Sequence, residues 1–461
     1  MLSIIRSLKN MLRRRRIRSL KHVRRKLKNG GQVVVVDTGA LLNAEALAMI
    51  QALHSRSIGG FDAHMDALAK KGPEKFMETH YSGYGHKSIG DCGTATVFVE
   101  GVSMLVPKAI QDWQLYNGQE SSTRFMDFSK QPFMNPLDSI EGQMIQEGWR
   151  TAYLHGLEVL KSSLKSRFPK NEGEDEKTYE KAINARAFDT MRGFLPAGTQ
   201  TNLAWTMTLR QFDDELLWLR HHPLKEVREV ALSAEDALAE MYPASFLKKR
   251  YEDTEKYVEQ ESARATYFDP TSHPLFRQSR DMVSYDMLKT YRQAIITRPP
   301  KTELPKKIAE CGMLQFEFLL DFGSFRDIQR HRAVIQQMPL LSIVHGFHPW
   351  YLEEFEKELR SGMEDVISEQ ARRINRLPAS LETKQYYTAM GFNTANRLTG
   401  NLHALVYLVE LRGTRFVHPT LRERALQMAK ILTEDYEILL HLDPEPNRFD
   451  VRRGTHDIIV R

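Results

Sequence analysis

The chain has 461 residues, enough for two or three domains, and its 41% apolar and 9% aromatic content describes a globular protein with a real core. A mean hydropathy of −0.46, with no apolar run of spanning length, excludes helical membrane insertion and predicts a soluble protein. Two cysteines, Cys92 and Cys311, exclude a disulfide framework or a cysteine-based metal site and suit a reducing, cytoplasmic setting.

The net charge of +6 belongs to one end of the chain. No Asp or Glu occurs before Val36. Of 65 Lys and Arg, 12 fall in residues 6–28, leaving 53 against 59 acidic residues in the rest. Ile4, Leu8, Met11 and Leu12, then Ile17, Leu20, Val23 and Leu27, recur at roughly helical spacing. The pattern predicts a basic, helical N-terminal tail over residues 1–32. Such a segment can lie on anionic lipid, hold nucleic acid or act as a targeting sequence, so weak nucleic-acid or anionic-membrane contact through residues 1–30 is expected.

A long, weak repeat organises the remainder. GDCGTATVFVEGVSM around Cys92 and AECGMLQFEFLLDFGS around Cys311 each give a carboxylate, Cys, Gly and an alternating strand. DWQLYNGQESSTRF follows the first and RHRAVIQQMPLLS the second. LLWLRHHPLKEVREVAL and LVELRGTRFVHPTLRERAL then share a Leu-Arg helix end, a His-Pro break and a charged helix. These features divide the chain into a first copy at 33–250, a linker with some helix at 251–279, and a second copy at 280–461. In the first copy IEGQMIQEGWRTAYLHGLEVLKSSL reads as an amphipathic helix and KNEGEDEK at 170–177 as an exposed acidic loop. In the second, LQFEFLLDFGSF reads as a strand running toward Arg330, His331 and Arg332. Arg330 and Arg332 are expected on one face and His331 on the other, all awaiting something anionic.

These residues resemble the flavin-dependent thymidylate synthases. GYGHKSIGD at 83–91, QESSTRF at 119–125, RGFLPAGTQTNLAWTMTLRQF at 192–212 and WLR at 218–220 match in the first copy. RHR at 330–332, GNLHAL at 400–405 and ELR at 410–412 match in the second. The resemblance implies an α/β (α+β) fold of two tandem thymidylate-synthase-complementing-like units, each with helices around a mainly antiparallel sheet. The departures are complementary. The first copy has Asp112, Trp113 and Gln114 in place of RHR but keeps Gln119, Glu120, Ser122, Arg124 and Phe125. The second keeps RHR but has Ile335, Met338, Leu340 and Ser342 where the following run would sit.

The resemblance therefore implies one composite site per chain. Gln119, Glu120, Ser121, Ser122, Arg124 and Arg192, with Arg330, would hold dUMP, since arginine gives bidentate, permanently charged contacts to a monophosphate. Arg330, His331 and Arg332 would hold FAD, with Asn401, His403, His86 and Ser88 on the flavin side. His403 stands where the family has Arg, which keeps a donor and gives up a permanent charge. Arg412 would face the uracil and stabilise negative charge that develops on the ring, whereas Arg220 is its counterpart in the other half. Cys92 and Cys311 read as small core residues.

By the same resemblance the reaction is conversion of dUMP to dTMP, with methylenetetrahydrofolate and NADPH as co-substrates, FAD carrying the redox chemistry and no metal. A homodimer of tandem chains would form a pseudo-tetramer. Two alternatives stand beside it. Asp327 and His403 lie where a change of carbon donor or product could act, giving a flavoenzyme for another pyrimidine nucleotide. A non-catalytic nucleotide- or flavin-binding assembly protein is the other.

Overall fold

The computed structural model describes residues 21–37, 43–54, 67–68, 72–83, 87–121, 128–247, 249–265, 273–445 and 449–451. The chain separates into two compact units. The first comprises Met1–Val102, Leu115–Ser121 and Thr201–Ala263, and the second Ser103–Gln114, Ser122–Gln200 and Arg264–Arg461.

The first unit is built on a five-stranded sheet of order β1-β2-β3-β5-β4, with β1 His22–Lys26, β2 Gln32–Val36, β3 Thr94–Ser103, β4 Asn117–Glu120 and β5 Gln200–Thr208. Alternation buries Ala95, Val97 and Val99 of β3 and Leu203, Trp205 and Met207 of β5. Helices α1 (Ala44–His54), α5 (Leu209–Leu219) and α6 (Lys225–Met241) supply the apolar faces that complete this core, and α6 packs across β1 and β2.

β1 corrects the expectation of a helical tail. Residues 22–26 pair antiparallel with β2, and Val23 and Leu27 are buried while His22, Arg24 and Lys26 are exposed. An Asn29-Gly30 turn, with φ +86° at Gly30, closes the hairpin through the Leu27 N–H to Gly31 carbonyl bond of 2.9 Å. Arg25 is fixed to Asp236 of α6 at 2.5 Å. Pairing and burial of alternate residues outweigh a helical spacing that is continuous only on paper. Residues 1–20 lie outside the described residues.

The second unit carries a four-stranded sheet of order β6-β7-β9-β8, with β6 Phe276–Asp281, β7 Met313–Asp321, β8 Ile335–Gln337 and β9 Asn393–Asn401. All three pairings are antiparallel. Around it lie α2 (Leu105–Gln111), α3 (Ile140–Arg167), α4 (Glu176–Met191), α8 (Phe322–Ile328), α9 (Lys357–Arg376), α10 (Leu402–Arg412) and α11 (Pro419–Glu434). Helix α7 (Glu252–Ala265), in the expected linker, belongs to the first unit apart from its last two residues.

The strand order β2-β3-β5-β4 recurs as β6-β7-β9-β8, and the connections recur with it. Each Cys-Gly pair ends a 3₁₀ turn and opens a central strand, and the glycine allows a close backbone approach. A Cβ on Gly93 would lie 2.4 Å from the Ala44 carbonyl oxygen, and one on Gly312, where φ is +120°, 2.0 Å from that of Met282. The copies differ mainly between β4/β8 and β5/β9. The first has α3 of 28 residues and α4 of 16, whereas the second has α9 of 20 and a single turn of 4 at Leu381–Lys384. That shortening brings the second Leu-Arg closer to its RHR.

Candidate active site

RHR does not continue a strand. The Asp321 carboxylate accepts from the Ser324 N–H at 2.9 Å and starts α8 directly at the end of β7. The chain leaves α8 at Gln329 and passes through turns at 330–333 before β8. The expected facing survives: Arg330 and Arg332 are exposed, and His331 is only 7% exposed.

Within this unit Arg192, from the first copy, meets Arg330 and Arg412, from the second, around Asp327. Arg192 opens the 3₁₀ turn Arg192–Phe194 and places Nη1 3.6 Å from Asp327 Oδ2, while its Nη2 donates to Ser324 Oγ at 3.2 Å. Arg412, the last residue of α10, donates from Nη2 to the Asp327 carbonyl at 2.5 Å and from Nε to His331 Nε2 at 2.8 Å. Because that nitrogen accepts, the ring hydrogen of His331 sits on Nδ1. Burial and the Arg412 charge push the His331 ring down to about 3, against the pull of Asp327, so it is neutral. Burial alone would raise the Asp327 carboxyl, but Arg192, Arg412, Arg330 and Arg326 hold it below the usual range. Burial works against the Arg192 charge too, yet Tyr351, Asp327, Asp189 and Asp321 hold that guanidinium above its ordinary value. Arg192 Nε is buried without a hydrogen-bond partner among the described residues. Such a set of directed cations has the chemistry to hold an anion.

The triplet that replaces RHR in the first copy touches this loop. Gln329 Nε2 donates to Asp112 Oδ1 at 2.6 Å and to the Lys108 carbonyl at 2.8 Å, and Gln114 Nε2 donates to the Val334 carbonyl at 3.3 Å. Asp112 and Gln114 thus brace both ends of the segment that carries Arg330–Arg332. Reading them only as losses misses that role.

The other candidates are spread further. Gln119, Glu120 and Ser121 lie on or just after β4 in the first unit, in the ladder Gln119–Ala204 and Glu120–Leu203. Asn117 faces Thr206 as Ile335 faces Thr399, so Met338 takes the place of Glu120. Ser122, Arg124 and His86 lie outside the described residues. Ser88 is exposed in the 3₁₀ turn Lys87–Cys92 of the first unit. Asn401 caps α10 by accepting from Ala404 N–H at 2.9 Å. His403, about 14 Å along the helix from Arg412, has Nε2 buried with no hydrogen-bond partner among the described residues, and Glu303 Oε2 lies 3.6 Å from it. Arg210 occupies the same place on α5 as His403 on α10, and it donates to Asp91 Oδ1 at 2.7 Å. It was legible in TLRQF, two residues into the first copy's helix.

Over residues 36–244 the chain matches the family model described as thymidylate synthase complementing protein. The matched stretch is the first copy. Relatives extend further: a UPF0159 protein of Chlamydia pneumoniae is 24% identical over 413 residues, covering 77% of each chain. One from Chlamydia muridarum is 25% identical over 407 residues, covering 75% of this chain and 76% of the relative. One from Thermoplasma acidophilum is 23% identical over 468 residues, covering 86% and 92%. Coverage of that extent reaches beyond the residues that the family model matches.

The two Leu-Arg arginines have different surroundings. Arg220 donates from Nε to Glu255 of α7 at 3.0 Å, and a second, shorter bond makes the pair bidentate. His221 Nε2 meets the same carboxylate at 2.6 Å. Arg220 is consumed by structure, whereas Arg412 faces the arginine cluster.

Proposed function

We propose that the chain is a flavin-dependent thymidylate synthase with one composite site, converting dUMP to dTMP with methylenetetrahydrofolate as carbon donor and NADPH as reductant. The convergence of Arg192 from one copy with Arg330 and Arg412 from the other on Asp327 carries this reading. Arg192 would take the phosphate, with Nε available as a donor. Arg412, anchored through Nη2 and Nε, would hold its charge toward the pyrimidine ring and stabilise negative charge there without reorganising. FAD, when bound, supplies the redox chemistry. The donor set fits it: Arg330 and Arg332 are exposed guanidiniums for a diphosphate, His331 offers Nδ1–H, and His403 Nε2 is buried without a hydrogen-bond partner among the described residues. Two chains would assemble the four-unit particle of the family.

Absorbance of the purified protein, with added FAD and then dUMP, tests the reading. A yellow wild type that loses flavin in Arg330→Ala and loses only dUMP in Arg192→Ala supports it. A protein that takes up no FAD refutes it.

One observation favours a second reading. Asp327 sets a carboxylate among the arginines, which suits a pyrimidine nucleotide presenting less negative charge than a monophosphate dianion. Such a flavoenzyme would take up FAD and fail to turn over dUMP.

A further inference from the structure

Behind Arg192 lies a polar network for which the binding roles above give no account. Ser324 Oγ, which accepts from Arg192 Nη2 at 3.2 Å, is 3.1 Å from His418 Nδ1 and 2.7 Å from Thr420 Oγ1. Thr420 donates to Asp321 Oδ2 at 2.6 Å, and Tyr351 donates to Asp321 Oδ1 at 2.6 Å. His418 Nε2 lies 3.2 Å from the Asp189 carbonyl oxygen. Asp321 and Ser324 are fully buried, and His418 and Thr420 are 3% and 1% exposed.

The partners fix most of the directions. A carbonyl only accepts, so His418 carries its hydrogen on Nε2, and Nδ1 must accept. The Thr420 hydrogen goes to Asp321, so the one Ser324 hydrogen serves either His418 Nδ1 or Thr420 Oγ1, which themselves lie 2.9 Å apart. In either case Ser324 Oγ keeps a lone pair that accepts from Arg192 Nη2. Burial, with the Arg192 charge, pushes His418 down to about 3, in keeping with a neutral ring. A buried network this closely packed holds its members in one geometry.

The network is one-sided in a duplicated fold. At the matching strand-to-helix junction the first copy reads VSMLV where the second reads LDFGS, so no carboxylate is present there. Gln385 opens the 3₁₀ turn that corresponds to Arg192's, and its Oε1 is turned to the Leu341 N–H at 2.9 Å. Among the described residues the network stands beside the arginine and not beside Gln385.

We propose that Ser324, fixed by His418, Thr420 and Asp321, is a positioning residue that aims the Arg192 guanidinium at the anionic group of the ligand. This rests on the reading of Arg192 as an anion-binding residue. The second copy thereby supplies both its own arginines and the support for the first copy's.

The test uses calorimetric titration of the full chain with dUMP, deoxyuridine and inorganic phosphate. Ser324→Ala should weaken dUMP and inorganic phosphate about tenfold, the size of one charged hydrogen bond, and leave deoxyuridine unchanged. Thr420→Val should act alike and Thr420→Ser should restore binding, which separates positioning from a folding defect. Ser324→Ala should add nothing to Arg192→Ala. Additive effects, or equal loss of dUMP and deoxyuridine, overturn the proposal. A wild type that binds phosphate through Arg192 but not dUMP refutes the thymidylate reading, and the Ser324 variants then decide this proposal on phosphate alone. Binding of neither anion by wild type overturns both.

Discussion

Pro196 forms an antiparallel bridge with Ala389, the residue at the same position of the other copy. The bonds around it come in symmetric pairs. Ala197 N–H donates to Thr388 and Met390 N–H to Leu195, at 2.9 and 2.8 Å; Gly198 N–H donates to Tyr386 and Gly391 N–H to Gly193, at 2.9 and 2.7 Å. Where residue i meets j and the counterpart of j meets that of i, the contact is isologous. A local two-fold axis passes through this crossing of residues 193–198 with 386–391. Arg192, one residue before the crossing, is thereby carried into reach of the second copy's α8.

Close backbone approach at the axis makes its glycines sensitive. A Cβ on Gly198 would lie 2.4 Å from the Tyr386 carbonyl oxygen, and one on Gly391 2.4 Å from Phe347 Cζ and 2.9 Å from the Gly193 carbonyl oxygen. Gly198→Ala and Gly391→Ala should each destabilise the chain by about 2 kcal/mol in urea unfolding. Gly362→Ala, on the exposed face of α9 with nothing within 4 Å, should stabilise by up to about 1 kcal/mol.

The alternation in TATVFVEGVS and MLQFEFLLD was legible because burial of one sheet face writes itself at period two. The complementary losses in the two copies were legible as a pattern, and the register of Asn117 and Ile335 places the aligned residues together. The described part of the tail, from residue 21, was misread because a hydrophobic spacing near 3.6 outweighed the Asn29-Gly30 turn. The strand into RHR was misread because Asp321 caps a helix that the apolar run conceals. The brace from Asp112 and the Ser324–His418 network left no local trace. Their members stand 217 and 94 residues apart, and only the folded chain assembles them.

The two buried histidines should make stability fall in mild acid. His331, facing Arg412 and Asp327, and His418, facing Arg192, Asp321 and Asp189, are both pushed to about 3 from an ordinary 6.5. Their folded values lie below the unfolded one, so the unfolded chain gains protons first. Their stabilisation is complete above pH 6.5 and is lost as pH falls toward 3. Each should contribute a slope of about 1.4 kcal/mol per pH unit in that window. Between pH 6 and 5, ahead of most carboxylates, His331→Gln or His418→Gln should reduce the measured slope by one proton's worth.

Glu255 should be a stability residue with no part in ligand binding. It holds Arg220 and His221, chiefly through the Arg220 hydrogen bond, and its carboxyl is pulled down to about 2. Glu255→Ala leaves the Arg220 guanidinium, whose side chain is 10% exposed, with Glu235 at 3.6 Å as its remaining carboxylate among the described residues. A loss of about 3 kcal/mol is expected, with dUMP affinity at the composite site unchanged. A fall in dUMP affinity together with retained stability would show that the Arg220 side of the chain also binds.

Asp327 should limit affinity for a doubly charged ligand. Its carboxylate is not what holds the arginines in place: Arg412 is bonded to the Asp327 backbone carbonyl and to His331, and Arg192 to Ser324. The side chain instead stands 3.6 Å from Arg192 Nη1 and draws on the same positive field that an incoming phosphate would use. Replacing it by Gln removes one negative charge, keeps an acceptor and adds a donor. Asp327→Gln should therefore bind dUMP about tenfold more tightly, as expected for a like charge a few ångströms away in a partly screened site. Deoxyuridine should be unaffected, and the gain should shrink as salt is raised. Weaker dUMP binding in Asp327→Gln would mean that the carboxylate organises the guanidiniums, and that the ligand replaces none of its contacts.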